Sequence, residues 1–213
     1  MHAASGTYTT ISASVRTELE IERSRFICVL ARATDEDAAR AVIAEVRAAE
    51  PKAGHHCTAF LIGPRGELAR SSDDGEPSGT AGQPMLEALR GEGLSDVVAV
   101  VARYFGGVLL GTGGLVRAYT ASVQESARAA TRVTRSLRTT VEVHAGYERG
   151  PSLEAELRRL GHTPLHVEYG EGMRIDVGVP PSATDAFVAR VAELTGGAAL
   201  AVIGGTVHVD DPA

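Results

Sequence analysis

Arg70-Ser71-Ser72-Asp73-Asp74-Gly75-Glu76-Pro77-Ser78-Gly79-Thr80-Ala81-Gly82-Gln83-Pro84 and, further on, Arg103-Tyr104-Phe105-Gly106-Gly107-Val108-Leu109-Leu110-Gly111-Thr112-Gly113-Gly114-Leu115-Val116-Arg117-Ala118-Tyr119 are the stretches on which the reading of this chain turns. Both are rich in glycine and both carry charge, a combination that a packed core does not need. Glycine reaches positive φ readily and lets another molecule approach the backbone. Loops held on a rigid scaffold are also where binding residues concentrate. Between the two, Pro84 suits the first turn of a helix, and Met85, Leu86 and Leu89 form an apolar stripe that ends at Gly91. Val97 to Ala102 is a continuous apolar run, as in a strand buried on both faces. The second stretch leads into an Ala-rich helix from about Gly114 to Thr134.

Working outward, Thr7 to Val15, Thr17 to Ile21 and Phe26 to Ala31 read as strands. Thr34 is placed to cap a helix, with Asp37 three residues on, and the helical period runs to Pro51. Cys57 to Ile62 is another strand, closed by the turn Gly63-Pro64-Arg65-Gly66. The order β-β-β-α-β-α-β-α predicts a sheet with helices on one face. Beyond Ser136-Leu137 the pattern becomes βαββαβ. Its strands are Thr139 to Ala145, His162 to Tyr169, Arg174 to Val179 and Ala199 to Val209; its helices are Pro151 to Leu160 and Ser182 to Leu194. That order is ferredoxin-like. The fold class expected is α+β, in two domains, 1–136 and 137–213.

Composition narrows the function. The 213 residues carry a net charge of −6, which argues against coating nucleic acid through bulk electrostatics. Residues 1–136 hold 15 basic and 16 acidic groups and residues 137–213 hold 6 and 11, so a local basic patch is expected in the first part rather than the second. Arg128, Arg132 and Arg135 are expected to form a modest basic stripe on the long helix. Cys28 and Cys57 sit in apolar runs and behave as small buried hydrophobes, with no disulfide framework indicated. Neither a signal peptide nor an apolar run long enough to span a membrane is present, so a cytoplasmic protein is expected.

The second glycine loop is the sharpest chemical signal. It joins a buried strand to a helix whose first N–H groups and positive dipole end are suited to phosphate or carboxylate. Arg103 before the loop and Arg117 one turn into the helix are placed to reach the same anion. No Gly-Lys-Ser/Thr follows, so this is not a Walker loop, and Val116 replaces the third glycine of a dinucleotide fingerprint. The alternative is that these glycines serve tight turns and close packing only. Asp73, Asp74 and Glu76 could ligate a hard cation; an ion-pair network with Arg103, Arg117 and Arg70 that ties the two loops together is the preferred reading. His55, His56 and Cys57 lack the partners of a zinc site. His55 and Cys57 share a strand face, but the apolar flank favours burial of Cys57 over catalysis. Tyr104, Phe105 and Tyr119 would offer stacking surfaces if exposed, and Phe105 is expected in the core. No catalytic residue, cofactor or resident metal is assigned. The candidate binding face comprises Arg70, Asp73, Asp74, Glu76, Arg103, Tyr104, Gly106, Gly107, Gly111, Thr112, Gly113, Gly114 and Arg117.

These stretches, with Ser24-Arg25-Phe26-Ile27 and His55-His56-Cys57 upstream, resemble the signature of the IMPACT family, the YigZ-type bacterial proteins and their eukaryotic relatives in translation control. The resemblance covers roughly residues 18 to 130. It implies a first domain with the fold of the second domain of ribosomal protein S5, and a second domain like the last one of elongation factor G. The partner-binding extension of the eukaryotic members is not expected here. The resemblance implies a non-catalytic regulator that binds RNA, the ribosome or a translation-associated protein. An enzyme acting on a phosphorylated or anionic small molecule at the same loops is the alternative.

Overall fold

A computed structural model describes residues 6–211. In chain order its elements are β1 (Thr7–Ile11), β2 (Val15–Ile21), β3 (Ser24–Arg32), α1 (Glu36–Ala49), β4 (His55–Ile62), β5 (Leu68–Ser72), α2 (Gly82–Gly91), β6 (Val97–Tyr104), α3 (Gly111–Ala129), β7 (Arg132–Ala145), α4 (Gly150–Arg159), β8 (Pro164–Tyr169), β9 (Met173–Val179), α5 (Thr184–Thr195) and β10 (Leu200–Asp210). The arrangement is α+β. The described residues fall into two compact units, divided along the chain between Thr134 and Arg135, near the start of β7.

The first unit is built on an antiparallel sheet in the order β2-β3-β6-β4-β5. β6 lies at its centre, and Val97 to Ala102 are wholly buried. Alternate residues of that run point to opposite faces. Val97, Ala99 and Val101 join Cys28, Cys57, Met85, Leu89 and Tyr119 in a core under α2 and α3. Val98 and Val100 join Phe60, Ile62, Ala39 and Val46 under α1. Helices therefore cover both faces, not one. The run of β6 already required this, since a strand apolar on both sides has no face to give to water.

Three further expectations are corrected. The cap of α1 is Asp35, whose carboxylate accepts from the Ala38 amide at 2.7 Å, not Thr34. Arg70, Ser71 and Ser72 belong to the edge strand β5, not to a loop. The long helix stops at Ala129, so Arg132 and Arg135 lie on β7 and no arginine stripe forms with Arg128.

The second unit has the order β8-β9-β7-β10, all antiparallel, with α4 and α5 as its crossovers. This is the ferredoxin-like arrangement. Val141, Val143, Ile175 and Val177 meet Leu153, Leu157, Phe187 and Val191 in its core. Among the described residues no helix is long and apolar enough to cross a membrane.

Candidate functional site

Across the centre of the first sheet, three residues stand in one row: Phe26 of β3 opposite Arg103 of β6, and Arg103 opposite His55 of β4. Strand alternation continues the apolar row Val97, Ala99, Val101 into Arg103, so a guanidinium arrives where the pattern has an apolar side chain. Its side chain is only 7% exposed. Nη1 of Arg103 donates to Oε1 of Glu76 at 2.7 Å, and the same oxygen accepts from the Tyr119 hydroxyl at 2.7 Å. The rings of Phe26 and Phe105 flank the guanidinium, with centroids 5.4 and 5.7 Å from its central carbon. Nε is buried and has no partner. A buried ion pair of this kind contributes little net stability, because desolvation offsets attraction. A donor left unmet beside it costs more.

Above Arg103 opens a cleft of about 440 Å³, lined by His55, Glu76, Phe105, Leu109, Thr112 and Leu115 among others. Its walls are largely apolar. Phe105 is 59% and Leu109 87% exposed, so Phe105 forms the rim and is not core as expected. Gly111 and Thr112 bring the first turn of α3 to the cleft, and no side chain caps that turn. Its leading N–H groups and the positive end of a 19-residue helix therefore face the same space as Arg103. Gly106 sets the approach of the loop: a Cβ there would fall 2.0 Å from the Arg23 backbone, and the Gly106 amide donates to Ser24 Oγ.

The three carboxylates of the first loop do not converge, so they form no cation site. Asp73 accepts from the amides of Gly79 (2.8 Å), Ala81 (3.0 Å) and Gly82 (2.8 Å), closing the loop and capping α2 from a distance. Burial alone would raise its pKa, but these amide donors outweigh burial and hold it below the usual carboxylate range. Asp74 accepts from the His56 amide at 2.7 Å and from Arg47 at 2.6 Å. Its backbone, at φ 44°, turns its carbonyl to Nδ1 of His55, 2.8 Å away. A carbonyl can only accept, so Nδ1 carries a proton, and Nε2 lies 4.0 Å from Glu76. Among the described residues no group of three or more His, Cys, Asp or Glu is placed to hold a metal ion.

The structure thus brings Glu76, Arg103, Gly111 and Thr112 together, with Asp73 and Asp74 buttressing them. It does not bring Arg70 or Arg117 into the network. Arg70 is exposed on β5 and reaches only the Ala69 carbonyl at 3.4 Å. Arg117 lines a separate hollow with Ile21 and Glu22, whereas positions 112 and 115 of α3 line the cleft. Tyr104 donates to Glu50 at 2.8 Å. Gly107 meets open space, Gly113 lies under the Arg117 guanidinium, and Gly114 packs against Leu110. Cys57 donates to the Asp73 carbonyl and sits 3.3 Å from the Tyr119 hydroxyl. Burial above all, and then the nearby carboxylates, push its thiol up to about 12, against the opposing hydrogen bond with Tyr119. That is no nucleophile at neutral pH. His55, Leu109 and Leu115 were missing from the sequence-derived face. The signal for His55 was its shared strand face with Cys57; for the leucines there was only their place beside the glycines.

The Impact N-terminal domain family matches residues 22–127, and the family described as Domain of unknown function (DUF1949) matches residues 143–198. The IMPACT family member YvyE of Bacillus subtilis is 40% identical over 190 residues, covering 89% of this chain and 88% of that protein. The IMPACT family member YigZ of Escherichia coli is 38% identical, covering 84% and 88%. A crystal structure described as that of a hypothetical protein is 36% identical, with a TM-score of 0.68 over 92% of this chain and 97% of that one.

Proposed function

The chain belongs to the IMPACT family, and on that footing we propose that it acts by recognition and not by covalent chemistry, taking an anionic group of a translation-associated protein into the Arg103 cleft. One observation carries this reading: a buried arginine with an unmet donor shares a largely apolar recess with an uncapped helix N-terminus. The cytoplasm and the control of translation are the setting that the resemblance implies.

A broad RNA-tracking face has less support. Such a face needs a row of free cations, and most arginines of the first unit already hold a carboxylate. Arg16 is on Glu50, Arg25 on Glu18, Arg40 on Glu36, Arg47 on Asp74, Arg90 on Glu87 and Arg128 on Glu125. The test is co-sedimentation with ribosomes and with structured RNA across a salt series, for wild type and Leu109→Glu. Recognition in the cleft gives a shallow salt dependence, near one ion, and loss of ribosome binding in the variant. Tight RNA binding that falls by several ions and ignores Leu109→Glu would overturn the proposal. No binding to ribosomes would remove translation as the setting.

The enzyme reading retains one specific observation: His55 lines the cleft with Nδ1 held to the Asp74 carbonyl, which leaves Nε2 as its second ring nitrogen. An enzyme acting on an anionic small molecule would use that nitrogen as its base. His55→Ala would then abolish turnover while leaving substrate binding in place.

A further inference from the structure

We infer that the group taken by the cleft is a single carboxylate joined to an apolar body; this rests on the recognition reading above. The donors come first. Nη1 of Arg103 is taken by Glu76, which leaves the other edge of the fork, Nη2 beside the unpartnered Nε, with Nε itself closed to solvent. A planar carboxylate matches such an edge with two parallel hydrogen bonds. Gly111 and Thr112, which open the uncapped first turn of α3, line the same recess.

Charge then separates carboxylate from phosphate. Glu76, with its side chain only 3% exposed, already balances Arg103 within the site. What remains uncompensated is the end of the α3 dipole, equivalent to about half an elementary charge, and the polar edge of the fork. One negative charge is accommodated there. A phosphomonoester, carrying close to two near neutral pH, would stand unbalanced beside the buried Glu76 carboxylate. The walls supply the other half of the specificity. Phe105 and Leu109 are exposed at the rim and Leu115 is buried within it, so the carboxylate must be carried on apolar carbon to use the recess. A volume of about 440 Å³ suits a ligand of roughly one aromatic residue with its neighbours. The chemistry is shared by the C-terminus of a peptide that ends in an apolar residue and by a free aryl or alkyl acid.

The experiment is calorimetric titration of the full chain at neutral pH with 3-phenylpropanoate, 3-phenylpropanamide and 2-phenylethyl phosphate. The peptide Ala-Ala-Phe, with its C-terminus free or amidated, forms a second arm. The acid is expected to bind about tenfold or more tighter than either the amide or the phosphate, the ratio that one charge-assisted hydrogen-bond pair gives. The preference should disappear in Leu109→Glu, which sets a like charge at an exposed rim position. It should also disappear in the double variant Arg103→Met, Glu76→Gln, which removes both charges of the pair and leaves no buried ion alone. A free peptide that outbinds the small acid identifies a chain terminus as the source; the reverse order identifies a small acid. Phosphate binding as tight as the acid overturns the carboxylate inference and leaves the recognition cleft standing. No preference for any anion over the amide overturns both.

Discussion

The two glycine-rich loops look alike as sequence and do opposite things. In the first, residues 73–82, every carboxylate has its partners within the fold. Asp73 holds three amides, Asp74 holds His56 and Arg47, and Glu76 holds Arg103 and Tyr119. In the second, residues 105–114, the donors at the start of α3 have no cap, and Phe105 and Leu109 stand in solvent. The first loop is a brace, and on the proposed reading the second is a mouth. Glycine and charge in a sequence therefore do not by themselves indicate binding; what matters is whether the polar groups are met from inside.

The comparison predicts that damage to the first loop is read as lost stability. Glu76→Ala leaves Arg103 buried without a counter-ion and should destabilise the first unit by about 3–5 kcal/mol, measured as a shift of the urea midpoint. A small shift would mean that water already reaches the pair. Asp73→Ala strands three amides at once and should cost about 2–3 kcal/mol. It also carries a pH signature. Asp73 titrates lower in the folded than in the unfolded chain, so its stabilisation is full above the ordinary aspartate range and fades as pH falls through the folded value. The acid limb of the stability curve should therefore be shallower in Asp73→Ala than in wild type. Equal limbs would show that the three amides do not discriminate the ionised form.

Most of the fold was legible because burial writes a period. The ferredoxin-like order of the second unit and the buried run of β6 followed from apolar spacing alone. Errors arose where local signals competed. Residues 132–135 continue an Ala-rich helix in composition, yet Arg132 holds the Glu92 carboxylate and carbonyl as the chain enters β7. β5 was hidden because an edge strand with one exposed side needs no apolar residues, and Arg70-Ser71-Ser72 has none. At the site, Arg103 and Glu76 were visible as charges between glycines. The register that sets Phe26, Arg103 and His55 in one row was not, because pairing across a sheet leaves no mark along a strand. Phe105 was misplaced for a related reason: an aromatic after a buried strand continues the core unless Gly106 turns the chain, as it does here against Arg23.

Damage to the second loop should be read mainly as lost binding. Gly111 is at φ 68° with open space around it, so Gly111→Ala should cost about 1–2 kcal/mol from backbone strain alone. The same change should weaken 3-phenylpropanoate, because the strained residue carries one of the uncapped amides. Leu109→Ser makes the sharpest contrast with Asp73→Ala. Leu109 is 87% exposed, so the substitution should move the urea midpoint by no more than about 0.5 kcal/mol in equivalent stability. It removes apolar area that only a ligand would cover, and affinity for the acid should fall by about 1 kcal/mol. A variant as stable as wild type but poorer in binding keeps the brace and the mouth distinct. If Leu109→Ser unfolds the unit, the exposed leucine has a structural partner and the division between the loops fails.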